Sequence, residues 1–167
     1  MKTLTEEERY IQRDRMIYIK NKTSANLAIL AIVFDVLYFI SIYKSDVGNW
    51  YYNILIGASI IYNLLFLLGA FLASEGAKNY KAGYTWLLFG LGIGQIIRIF
   101  ILPLKAHTSV ASIAGSDVIV MGGAQFTRVV IYLAASAVCL IIAGIVNYSK
   151  CNAIKAHLSS LEKKEAA

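Results

Sequence analysis

Asp35, Gln95 and Arg98 are the residues in this chain best able to do chemistry, because each stands inside a long apolar run. A carboxylate, a carboxamide and a guanidinium in hydrocarbon are expensive to place, so they meet one another, face water, or serve an ion or substrate. Arg98 lies within Trp86–Leu104, a stretch whose leucines, isoleucines and phenylalanines favour insertion enough to offset roughly 2.5–3.5 kcal/mol for one arginine. Gly90, Gly94 and Arg98 recur every fourth residue and share a helix face, so a Gly-x-x-x-Gly approach of a second helix is expected beside the guanidinium. A side chain near one end could instead snorkel to the headgroups with no partner.

The elements that must position these groups are four apolar segments. A spanning helix needs about 20 mostly apolar residues for ~30 Å of hydrocarbon. Runs over 25–43, 53–74, 84–104 and 127–147 meet that need, and the chain is 58% hydrophobic with a mean hydropathy of +0.61. Short connectors between the first three runs imply antiparallel neighbours. The fold class predicted is an all-α, up-down, four-helix transmembrane bundle over 25–148. Amphipathic cytoplasmic segments precede it over 1–24 and follow it over 149–167. Thr5-Glu6-Glu7-Glu8 fits a capping box at the head of the first of these. A surface-lying helix and a solvated lead-in both suit the residues that follow.

With spans alternating in direction, Asp35, Asn63, Gln95 and Ser136 fall near mid-depth in their own spans, and Arg98 is one turn further out. The expectation is a buried polar cluster in which Asp35 pairs with Arg98, while Tyr38, Asn63 and Gln95 satisfy the remaining groups. Such a pair can act in transport, or it can fix which helices meet. Packing is the commoner use of intramembrane polar groups, and nothing in the sequence marks a pathway.

Charge distribution sets the orientation. Of sixteen Lys and Arg, twelve lie in the two tails and the second connector, and two in the first and third connectors. The positive-inside rule then puts both termini in the cytoplasm. The net charge of +6 arises from these flanks, so nucleic acid is not the expected partner. Asn21-Lys22-Thr23 and Asn147-Tyr148-Ser149 match glycosylation sequons, but both fall on the cytoplasmic side and carry no weight. A simple inside-positive pattern suits a bacterial cytoplasmic membrane.

The connector 105–126 has two short apolar runs split by Gly115-Ser116-Asp117. It could form a loop over the mouth of the bundle, a short surface helix, or a re-entrant hairpin. The last is the least favoured, because re-entrant backbone must be buried in protein or face water. Pro103 is expected to end the third span.

The sequence contains no phosphate loop, H-E-x-x-H, G-x-S-x-G or C-x-x-C motif. Cys139 and Cys151 would stand about 18 Å apart on one helix, too far to bond. His107 and His157 have no ligand-type neighbours at metal spacing. No catalytic residue, metal or cofactor is therefore expected. The residues fit an accessory or assembly subunit of a larger transport or secretion complex in the lipid bilayer, contacting other membrane subunits. A small homo-oligomeric transporter or channel using Asp35 and Arg98 is the alternative.

Overall fold

The computed structural model describes residues 5–6, 20–42, 50–113, 116–119 and 121–165. Most of the amphipathic N-terminal segment and of the first connector lies outside the described residues. Helix α1 spans Lys22–Ile42, α2 Trp50–Lys78, α3 Gly83–Ile101, α4 Pro103–Thr108 and α5 Gly123–Glu165. Four of these helical stretches are long and apolar enough to cross a membrane, as the four hydrophobic runs require. The protein is a four-helix transmembrane bundle.

Going round the bundle, α1 packs on α2, α2 on α3, α3 on α5 and α5 on α1, which leaves α1 and α3 diagonally opposed. The heaviest packing joins α5 to α1 and α3, and the seam between α2 and α3 is the loosest. Burial follows helical periodicity. On α3 the inward row is Thr85, Leu88, Gly92, Gln95 and Arg98, at three- and four-residue spacing. Outward positions such as Ile61, Leu65, Ile97 and Phe100 are apolar and exposed, as a lipid-facing surface requires.

Two apolar layers bracket the middle of the bundle. One gathers Ala28, Ala31, Phe66, Ala70, Ala73, Leu88, Leu140 and Ala143. Its many alanines let backbones come close, which is how helices gain packing where lipid offers no hydrophobic drive. The other gathers Tyr38, Ile42, Leu102, Ala106, Met121, Val129 and Leu133 and closes the end opposite the tails.

At that end the chain departs from helix. Backbone regularity breaks at Leu102, and Pro103 opens α4 as its first residue, where a missing N–H costs nothing. The third span thus stops two residues before Pro103, and helix resumes at once. Strands β1 (Val110–Ile113) and β2 (Ser116–Ile119) follow as an antiparallel hairpin, pairing Val110 with Ile119 and Ile113 with Ser116. Of the three forms open for this connector, the short helix is present as α4, and a β-hairpin takes up the two apolar runs. His107 stacks on Phe126 with ring centroids 4.5 Å apart, and its Nδ1 lies 3.0 Å from the Met121 carbonyl, tying α4 to the start of α5.

Helix α5 is continuous for 43 residues, or about 64 Å at 1.5 Å per residue. That is about twice the hydrocarbon thickness, so this one unbroken helix is longer than a single crossing needs. Both cysteines lie on α5 and are free thiols.

Candidate functional site: an ion pair across the bundle

Asp35 and Arg98 meet at the centre of the bundle. The Arg98 Nη1 donates to Asp35 Oδ1 at 2.9 Å, linking α1 to α3 across the diagonal. Asp35 is fully buried and Arg98 is 5% exposed, so the arginine does not snorkel. Gln95, one turn away on the same row of α3, donates from Nε2 to the same carboxylate oxygen at 2.8 Å and to Ser136 Oγ at 3.4 Å. Ser136 in turn donates to the Ala31 carbonyl at 3.0 Å. This chain of bonds joins α1, α3 and α5.

The remaining spanning helix, α2, enters through two residues absent from the expected cluster. Arg98 Nη2 donates to Ser59 Oγ at 2.9 Å, and the Tyr62 ring centroid lies 4.8 Å from the guanidinium carbon. The Tyr38 ring is closer, at 4.2 Å. Both aromatic rings favour the cation over lipid. A depth signal for Ser59 exists in the sequence. Ser59 precedes Asn63 by one turn on a helix running opposite to α3, which matches the step from Gln95 out to Arg98.

Tyr38 contributes its ring rather than its hydroxyl, which is buried without a hydrogen-bond partner among the described residues. Asn63 is buried at 4% exposure, but no hydrogen bond joins it to the pair among the described residues. Its carboxamide oxygen is unpartnered, and the residue lines a separate space of about 100 Å³ with Val36, Phe39 and Leu67. The Asp35 Oδ2 and Gln95 Oε1 atoms are likewise buried without a donor among the described residues.

The glycines divide differently from expectation. Gly90 is exposed, and a Cβ there would meet nothing within 4 Å. The close helix approach on α3 belongs to Gly92, where a Cβ would stand 3.0 Å from Ile141 and 3.4 Å from the Ala137 carbonyl. Gly94 accommodates the Tyr62 hydroxyl, 2.7 Å from where a Cβ would be. A four-residue spacing says that glycines share a stripe. The inward row of α3 is set by Leu88, Gln95 and Arg98, and Gly92 lies on it whereas Gly90 does not.

Beside the pair, the loose α2–α3 seam opens into a cleft of about 400 Å³. Ala58, Ile97, Ile101 and Leu102 supply apolar walls, and Ser59, Tyr62 and Arg98 supply the polar part.

A second buried polar cluster sits at the tail end. Asn147 Nδ2 donates to Thr85 Oγ1 at 2.8 Å, and Asn147 Oδ1 accepts from Asn21 Nδ2 at 3.3 Å. Ser24 donates to the Ala143 carbonyl at 2.7 Å, and Ser74 to the Ala25 carbonyl at 3.1 Å. The Cys151 thiol reaches the carbonyl of Tyr80, a residue held at φ 57° in the turn before α3. The described residues contain no group of three or more His, Cys, Asp or Glu side chains arranged to hold a metal.

Fold and site together define a multi-pass helical membrane protein with an ion pair across its core. No family model, no curated protein and no solved structure matches the chain.

Proposed function

We propose that this protein is a non-catalytic accessory or assembly subunit of a larger membrane complex, of the transport or secretion kind. In this reading Asp35 and Arg98 organise the fold rather than carry a solute. The observation that supports it is that Asp35 and Arg98 are held by each other and by Gln95 and Ser59 from neighbouring helices. Asp35 is fully buried and Arg98 nearly so, and apolar layers built on Phe66, Leu88 and Leu140 on one side and Leu102, Met121 and Leu133 on the other bracket them. A charge pair held between helices in this way selects helix partners and register. Contact with other subunits then falls to outer surfaces, chiefly the C-terminal part of α5 that follows the fourth apolar run. The positive-inside count gives those tails a cytoplasmic location.

Affinity purification of the tagged full chain from native membranes in mild detergent, followed by mass spectrometry, tests this reading. A foreign membrane subunit recovered in fixed stoichiometry is expected. A homo-oligomer whose solute flux in vesicles is lost with Asp35→Asn would contradict it and establish transport.

A further inference from the structure

We propose that the cleft between α2 and α3 is a lateral site for a long-chain fatty acid, entering from the lipid with its carboxylate at Arg98 and Ser59. This goes beyond the subunit reading and does not depend on it. Access is from the hydrocarbon, since the cleft lies between two spanning helices whose flanking residues Ile61, Leu65 and Ile97 are apolar and exposed. A guest must therefore be largely apolar. The walls suit that requirement everywhere except at one place, where Arg98, Ser59 and Tyr62 come together. An amphiphile with one polar end matches this division.

Several features favour a carboxylate head. Arg98 is nine-tenths or more buried yet lines the cleft, and its hydrogen bonds to Asp35 and Ser59 use two of the five guanidinium N–H groups. A planar guanidinium edge complements a planar carboxylate in a bidentate fork. Ser59 accepts from Arg98, which leaves its own O–H to donate to the same head. Asp35 opposes a second negative charge, but it already accepts from Gln95 and Arg98, and the head arrives from the α2–α3 side. Arg98 stands three residues, about 4.5 Å of rise, from the last residue of α3. The head thus sits within the spanning part of the bundle, with Ile97 on one side of it and Ala58, Ile101 and Leu102 on the other as walls for the tail.

The test uses the intact protein in phosphatidylcholine nanodiscs with a diazirine-bearing fatty acid, and the adducts are mapped by mass spectrometry. Adducts concentrated in 58–62 and 94–102 are expected. Oleate should displace the probe at about tenfold lower concentration than oleyl alcohol, as one hydrogen-bonded charge warrants. Ala58→Phe, which narrows the cleft while leaving Asp35, Ser59 and Arg98 unchanged, should abolish specific labelling, and Ser59→Ala should weaken it several-fold. Both variants are first checked for helical content and monodisperse elution, so that lost labelling is separated from lost folding. Equal displacement by the alcohol, labelling unchanged by Ala58→Phe, or adducts spread evenly over the lipid-facing helices would overturn the proposal.

Discussion

Asn21 and Asn147, 126 positions apart, are hydrogen-bonded to each other at 3.3 Å, and both are fully buried. As glycosylation sequons on the cytoplasmic side these asparagines carry no weight, yet they fasten the start of α1 to the middle of α5. Asn147 also donates to Thr85, so one carboxamide holds three helices. Asn147→Ala orphans groups on both partners, each costing about 1–3 kcal/mol. A clear fall in thermal midpoint, read by circular dichroism in detergent, is expected. An unchanged midpoint would show that these bonds are replaced by water.

The glycines of α3 and α5 should behave unequally. Gly90→Ala adds a methyl in open space to a helix interior and should stabilise by about 0.5–1 kcal/mol. Gly92→Leu drives a side chain against Ile141 and the Ala137 carbonyl, and should destabilise by at least about 1–3 kcal/mol. Gly144→Ala meets the Phe89 ring at 2.9 Å and should be partly rescued by Phe89→Leu. Thermal midpoints of the three variants and the double variant decide the order.

Tyr38 separates ring from hydroxyl. Tyr38→Phe removes a buried, unpartnered oxygen and keeps the ring beside Arg98, so stability should hold or rise by about 1 kcal/mol. Tyr38→Leu loses the aromatic face and should cost about 2 kcal/mol or more, given a desolvated cation. A larger loss in Tyr38→Phe than in Tyr38→Leu would mean that the hydroxyl is in use.

Orientation is open to direct labelling. In a background of Cys139→Ser and Cys151→Ser, a cysteine at Ser109 and one at Ser160 should react with a membrane-impermeant maleimide from opposite sides of intact cells or vesicles. Ser109 is expected outside and Ser160 inside, by the positive-inside rule. Reaction of both from one side would break the four-crossing topology.

Much of the fold was legible because lipid imposes a simple rule: backbone polar groups must bond within a segment, so apolar length implies helix. The same rule made the connector hard to read. Val110–Ile113 and Ser116–Ile119 have the short, β-branched, turn-separated pattern of a hairpin, but apolar runs beside spanning helices do not announce strand. Asp35, Gln95, Arg98 and Ser136 were legible as a cluster from depth alone. Ser59 and Tyr62 were missed because serine and tyrosine are unremarkable in a span until a partner at the same depth is matched. Asn63 shared the depth but not the neighbours, since its position on α2 turns it toward Val36 and Leu67.

The most direct test of the ion pair at the core is a double-mutant cycle on thermal stability in detergent with Asp35→Asn, Arg98→Gln and the two combined. Each single change strands a buried charge or its partners, and should cost about 3–5 kcal/mol. The double variant removes both charges at once and should recover part of that loss, giving a coupling of at least about 1 kcal/mol. Strict additivity, within about 0.5 kcal/mol, would mean that the two side chains do not hold each other, and would contradict the central role given to the pair.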